Sequence, residues 1–327
     1  MNQNEQNKFS DNILFAGLSE VYQFIEEGRF DKAVKKLDSL LDINPDYPAL
    51  HEGYRIAKFW DNRKLELKNH NLGKETADFL MFQWNKFVSY AEDNNITNST
   101  AYRSAMKYIF QTASENYKIA FQSQESAKDN YDLLLNLGIC FLTLGEYNSA
   151  IETLEYARSF YKSNAKFMTM LGEAYSHTGD SLKSMLYFKE AFFINPSDVD
   201  LDTLRSETIL NLIEIVKTNK PYCADVREWI PIFGFTHGLF YARRQINSEQ
   251  LEMIKREIYS LEKGYQTQSS EKIGNSNVVP RLINKYLWML EYFKYQNYNQ
   301  QSITEIKERL IHIDKNIFED FFKNTEI

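Results

Sequence analysis

Only 2 cysteines, 6 prolines and 12 glycines occur among 327 residues. Cys140 and Cys223 lie far apart and form no CxxC pair, which argues against a disulfide framework and a cysteine zinc site. Scarce glycine and proline leave little material for the many turns of a β-sandwich, so the chain reads as mostly helical. The most apolar run, Leu133 to Leu144, is interrupted by Asn136 and Thr143 and is far shorter than the roughly 20 residues a membrane-spanning helix needs. Met1 to Lys8 lacks the basic start and apolar stretch of a signal peptide, so a cytoplasmic protein without direct membrane insertion is expected. A basic excess is absent too: 45 acidic side chains stand against 38 basic, a net charge of −7, which disfavours nucleic acid as a partner. The doublets Arg243-Arg244 and Lys255-Arg256 do not alter this, because residues 201–327 balance at 17 basic and 17 acidic.

Catalytic signatures are missing as well. The 5 histidines (His51, His70, His177, His237 and His312) form no HExxH and no pair four residues apart. No GxxxxGK[ST] or GxGxxG phosphate loop occurs. Ser176 and His177 are adjacent on a helix and so point about 100° apart, a poor arrangement for sharing a proton. Cys140 reads as a small buried hydrophobe. The sequence therefore assigns no catalytic, metal or cofactor residue, and a non-enzymatic protein without a cofactor is expected.

What is present is core material and repetition. Hydrophobic residues make up 43% and aromatics 15%, which excludes global disorder. Residues 131–164 and 165–198 align with one another. Leu137-Gly138 recurs as Leu171-Gly172, Phe141 as Tyr175, Gly145 as Gly179, Ala150 as Ser184, Leu154 as Phe188 and Ala157 as Ala191. Each match is 34 residues apart, and the second copy ends at Asn195-Pro196, where proline stops the helix. Glycine at position 8 of the unit allows two helices to cross closely, and alanines at 20 and 27 do the same farther along. Glycine at position 15 closes the first helix in the left-handed conformation.

Period and residue types resemble the tetratricopeptide repeat family. The resemblance implies an all-α, right-handed superhelix of antiparallel helix pairs, with Gly138, Gly145, Ala150, Ala157, Gly172, Gly179, Ala191 and Pro196 as packing and turn residues. Residues 13–47 resemble a further hairpin, with Phe24, Gly28, Phe30, Ala33, Leu37 and Asn44-Pro45 in place, although Glu20-Val21 replaces the expected Leu-Gly. The expected organisation is a disordered tail over 1–12, that hairpin over 13–47, diverged helical repeats over 48–128, two clear units over 129–198, and a helical C-terminal cap over 199–327 with a mobile loop near 265–279. Within 48–128 the apolar spacing predicts helices over 48–67, 75–92 and 98–123. Beyond Pro196 it predicts helices over 201–218, from a capping box at Asn247–Gln250 to about 263, over 280–296, and from Ser302 to about 323, with a bend at Pro231 and Gly234. The C-terminal block around Trp229-Ile230-Pro231 and Arg281–Tyr286 also resembles the tails of repeat proteins from spirochaete-type bacteria, a likeness that implies no activity.

In the family the first helix of each pair lines a concave groove. The matching positions are Asp132, Leu135, Ile139, Leu142 and Thr143 in one unit, and Lys166, Thr169, Glu173, Ser176 and His177 in the next. Asn136 and Lys166 also match two positions of the clamp by which chaperone-binding members hold a C-terminal carboxylate. Met170, Ala101 and Ala105 stand where other clamp residues belong, so a clamp is not expected. Residues 129–200 carry 10 acidic and 5 basic side chains, which favours a basic partner segment. The expected role is a scaffold or adaptor that binds a protein segment in the groove and supports a multiprotein assembly. The alternatives are a peptide-sensing regulator and an enzyme with its site in the C-terminal aromatic block.

Overall fold

Three turns between successive helices are made by glycines in the left-handed region: Gly28 at φ 68°, Gly145 at 75° and Gly179 at 82°. A side chain is disfavoured at such an angle, so the turn residue is dictated by backbone sterics. The computed structural model describes residues 3–96, 98–123, 130–240, 245–267, 276–295 and 300–324. Among the described residues there are helices and no strands, an all-α helical-repeat fold. The chain divides into two compact units, Met1–Thr153 and Leu154–Ile327.

In the first unit, α1 (Gln3–Glu26) and α2 (Phe30–Leu41) form a hairpin, followed by α3 (Pro48–Asp61), the short α4 (Lys64–Leu67), α5 (Lys74–Asp93), α6 (Thr100–Gln122) and α7 (Tyr131–Leu144). Pro48 opens α3 at a position where the missing N–H costs nothing, and the Ser99 hydroxyl caps α6 by accepting from the Tyr102 N–H at 3.2 Å. α8 (Tyr147–Phe160) begins in this unit and ends in the next. The core is aromatic. Trp60 lies against Phe30, Phe59, Trp84 and Phe87, with ring centroids 5.2–6.3 Å apart. α6 packs on α5 and α7, and also reaches back to α1 and α3. The Glu26–Lys107 ion pair, 3.0 Å, ties α1 to α6 across some eighty residues of sequence. A strictly linear array contacts only its nearest neighbours, so the stretch between α2 and α6 does not extend the stack one pair at a time.

The second unit holds the rest of α8, then α9 (Ala165–His177) and α10 (Ser181–Ile194), capped by Asn164 and Asp180. After two 3-10 turns, Pro196–Asp198 and Leu201–Thr203, come α11 (Glu207–Asn219), α12 (Val226–Thr236), α13 (Ser248–Thr267), α14 (Val278–Tyr295), α15 (Gln300–Ile313) and α16 (Lys315–Asn324). A capping box opens α13: the Gln250 N–H donates to Asn247 Oδ1 at 2.8 Å while the Asn247 N–H donates to Gln250 Oε1 at 3.2 Å. In the core of this unit Phe193 and Phe235 pack edge-on against Trp288, and Phe321 packs against Phe235.

The structure departs from the sequence expectations at five places. The helix begins at Gln3 instead of following a disordered tail over 1–12: the stretch is polar, yet no glycine or proline interrupts it before Gly17. The helix expected over 48–67 breaks at Asn62-Arg63. The one expected over 201–218 starts only at Glu207, because Asn195 and Asp200 cap 3-10 turns first. Pro231 and Gly234 do not end the helix; α12 runs through both. The last expected helix is two, since Asp314 stops α15 and caps α16 through the Ile317 N–H at 3.1 Å. The loop expected near 265–279 falls largely on residues 268–275, outside the described residues.

Candidate functional site

α7 carries the first half of the expected groove. Its buried side is Leu133, Leu134, Leu137, Gly138, Cys140 and Phe141, packed in part against α6. Leu135, Ile139 and Leu142 follow spacings of four and three, so they stack in one stripe, and all three stay partly exposed. Asp132 at the start of the helix is exposed, and Thr143 is partly so. Asn136 is already committed: its Nδ2 donates to the Tyr117 hydroxyl at 3.0 Å, which donates in turn to Asp78 Oδ1 at 2.8 Å. Burial and the Asp78 carboxylate push the Tyr117 phenol far above its usual range, so it stays protonated in this relay.

The second half of the expected groove lies on α9, in the other unit, and is used differently. Lys166 is exposed. Thr169 and Glu173 are only 4% and 5% exposed, which corrects their placement on an open face. The Thr169 hydroxyl donates to the Ala165 carbonyl at 2.8 Å, back-bonding within its own helix. Glu173 Oε1 accepts from the Arg205 N–H at 2.7 Å, and its Oε2 accepts from the Ser206 N–H at 3.2 Å. These amides lead into α11, where carboxylate charge is favoured by unsatisfied N–H groups. The chain after Pro196 therefore covers this part of α9 in place of a partner. His177 lies 3.0 Å from Glu173 Oε1 and Ser176 Oγ lies 3.1 Å from Ser206 Oγ, so neither is poised on the other.

Sequence reasoning missed several polar groups, because their partners are distant in the chain. Lys189 on α10 is fully buried and meets Glu291 on α14 at 2.5 Å. Glu228, 1% exposed, accepts from Arg281 at 2.5 Å and from Ser197 Oγ at 3.2 Å. Glu155 receives the hydroxyls of Tyr175 and Tyr187 and pairs with Arg158 at 2.8 Å. A local signal existed for Glu173 alone: it is an acid within Met170–Tyr175, otherwise apolar or glycine.

Among the described residues, no group of three or more His, Cys, Asp or Glu side chains could hold a metal ion, and no helix is long and apolar enough to cross a membrane. The described part of the aromatic block, Trp229 to Phe240, lies mostly inside the core; residues 241–244 are outside the described residues. Cys140 is fully buried, and desolvation pushes its thiol up to about 12, whereas Cys223 is partly exposed. Since the thiolate is the reactive form, iodoacetamide should alkylate Cys223 in the native protein and reach Cys140 only on unfolding. Peptide mapping by mass spectrometry checks this; equal labelling of both would contradict the burial of Cys140.

A family model described as tetratricopeptide repeat matches residues 165–198, which cover α9, α10 and the following 3-10 turn. No curated protein matches the chain. The matched hairpin shows the geometry the repeat requires, with Gly172 against the ring of Phe188 and its carbonyl accepting from Ser184 Oγ at 2.8 Å. The chain thus carries a tetratricopeptide repeat within an all-α helical-repeat fold.

Proposed function

We propose that this protein is a non-catalytic scaffold that holds a segment of a partner protein along α7. One observation carries this reading: the stripe of Leu135, Ile139 and Leu142 stays partly exposed on a helix whose other side is packed. An apolar stripe on a preformed helix binds a segment at little ordering cost, because the host is already rigid. Asp132 and Glu146, both exposed, lie at the two ends of α7, and residues 129–200 carry 10 acidic against 5 basic side chains. The partner segment is accordingly one with apolar anchors flanked by basic residues, steered by charge and held by burial. The repeat matched at 165–198 supports a role in protein–protein interaction.

Leu135→Glu tests this. Placing a carboxylate in the stripe is expected to weaken a partner captured by the wild-type chain at least about tenfold, the scale of one central interface residue. Helicity by circular dichroism should be unchanged, because Leu135 is not fully buried. Leu182→Glu, at a leucine 57% exposed on α10, is the matched control and should bind as wild type does. A partner bound equally by wild type and by Leu135→Glu would place the interaction on another surface.

A further inference from the structure

The face of α9 that the repeat register leaves for a partner is occupied by the chain itself. A further unit in the 34-residue register would open its first helix at Val199, yet α11 begins only at Glu207. The stretch between, residues 197–206, has no α-helix and two 3-10 turns of three residues each. Its backbone bonds are of the weaker i to i+3 kind: the Val199 N–H donates to the Pro196 carbonyl at 3.1 Å, and the Leu204 N–H to the Leu201 carbonyl at 3.3 Å. Val199 and Leu204, 1% and 2% exposed, seat this strap, while Asp198, Asp200, Asp202, Thr203 and Arg205 stay exposed.

The strap is held differently at its two ends. At the start, the Ser197 carbonyl accepts from Arg227 Nη1 at 2.6 Å and the Ser197 hydroxyl donates to Glu228 at 3.2 Å. At the other end the two oxygens of one carboxylate, Glu173, receive the adjacent N–H groups of Arg205 and Ser206, and Ser206 Oγ meets Ser176 Oγ. Hydrogen bonds to an ionised acceptor are strong, but main-chain N–H groups are common to every residue except proline. Another extended segment can therefore offer Glu173 what Arg205 and Ser206 offer it. Glu173 is 5% exposed beneath the strap, so a newcomer gains it by exchange and not by insertion beside it. Exposed His177, 3.0 Å from Glu173 Oε1, marks the edge from which exchange starts.

We infer that residues 197–206 are an autoinhibitory strap on an interaction surface of the second unit. They occupy the α9 face as a stand-in ligand, and an extended segment of a partner protein displaces them from Glu173. That segment carries an apolar residue in the place of Leu204, followed by two consecutive unpaired N–H groups. The strap sets a threshold, because the partner's apparent affinity is scaled down by the fraction of chains in which the face is open. The surface is independent of the α7 stripe, and neither reading requires the other.

Two variants of the full chain separate strap from site. Ser206 has φ −57°, within proline's own range, so Ser206→Pro deletes an N–H donor of the strap and leaves Glu173 in place. Glu173→Gln keeps the shape but turns an NH2 group toward the backbone donors, which loosens the strap and spoils the site together. In both variants the Leu204 and Arg205 amides should exchange at least about tenfold faster, while the α9 and α10 amides keep their protection. A synthetic peptide of residues 199–208 is the binding probe, titrated to millimolar and followed by ligand-observed NMR. It should bind Ser206→Pro at least about tenfold more tightly than wild type, and Glu173→Gln no more tightly than wild type. Arg205 protection unchanged in both variants overturns the inference, as does loss of α9 and α10 protection along with the strap, which would make Glu173 a packing residue of the hairpin. Equal peptide binding by wild type and Ser206→Pro, or by Ser206→Pro and Glu173→Gln, overturns it as well.

Discussion

Lys189→Ala is expected to destabilise the second unit by about 3–5 kcal/mol, the cost of removing one partner from a buried ion pair. Lys189 is fully buried, its ammonium 2.5 Å from Glu291 Oε1 and 4.8–4.9 Å from the ring centroids of Phe235 and Trp288. Glu291 is itself mostly buried, its side chain 12% exposed. Truncating the lysine leaves a carboxylate in a low-dielectric aromatic surround, and opens a cavity where the alkyl stem was. A different outcome is expected when both charges go. Lys189→Met with Glu291→Leu keeps the volume and removes both desolvation costs, so the double variant should recover most of the loss or exceed wild type. Hydrogen exchange localises the effect, since α10 and α14 amides should exchange faster in the single variant and return toward wild type in the double. A single variant within about 1 kcal/mol of wild type, or a double variant no better than the single, would show that the pair does not anchor α14 to the repeat hairpin.

The Lys189–Glu291 pair marks the limit of what could be read from sequence. Signals acting within about four residues were legible. Gly28, Gly145 and Gly179 declare their turns through the left-handed backbone, and Asn247 with Gln250 declares the start of α13. Position 24 of the unit, Phe188, fills the space over Gly172 as the period demands. What failed needed a partner far away in the chain. Glu173 sits at a groove position by register, yet Arg205 and Ser206, more than thirty residues on, claim its carboxylate. Asn136 matches a clamp position, yet the Tyr117 hydroxyl takes its amide. In the N-terminal hairpin the expected close approach at Val21 belongs instead to Gly17, one turn earlier, where a Cβ would meet Leu40 at 2.6 Å. Val21 is fully buried, so the hairpin keeps the principle of a small residue at the crossing and moves the crossing point. A periodic pattern fixes which faces meet within a pair; it says nothing of which distant segment covers a face left open.

Gly172→Val is expected to cost about 3 kcal/mol, at the upper end for overpacking a filled core. A Cβ at Gly172 would stand 2.9 Å from two atoms of the Phe188 ring, closer than carbon atoms pack. Phe188 is fully buried and cannot swing into solvent. The Gly172 carbonyl also holds Ser184 Oγ at 2.8 Å, so forcing the helices apart stretches a buried hydrogen bond. Gly179→Ala provides the contrast. Its φ of 82° disfavours a side chain, but nothing lies within 4 Å, so only backbone strain of about 1 kcal/mol is at stake. Phe188→Leu combined with Gly172→Val trims the ring that clashes and should recover part of the loss, a coupling that independent sites would not show. Urea unfolding with hydrogen exchange at α9 and α10 measures all three variants. If Gly172→Val proves as mild as Gly179→Ala, the close crossing does not hold the hairpin together, and the 34-residue register would then describe turns alone.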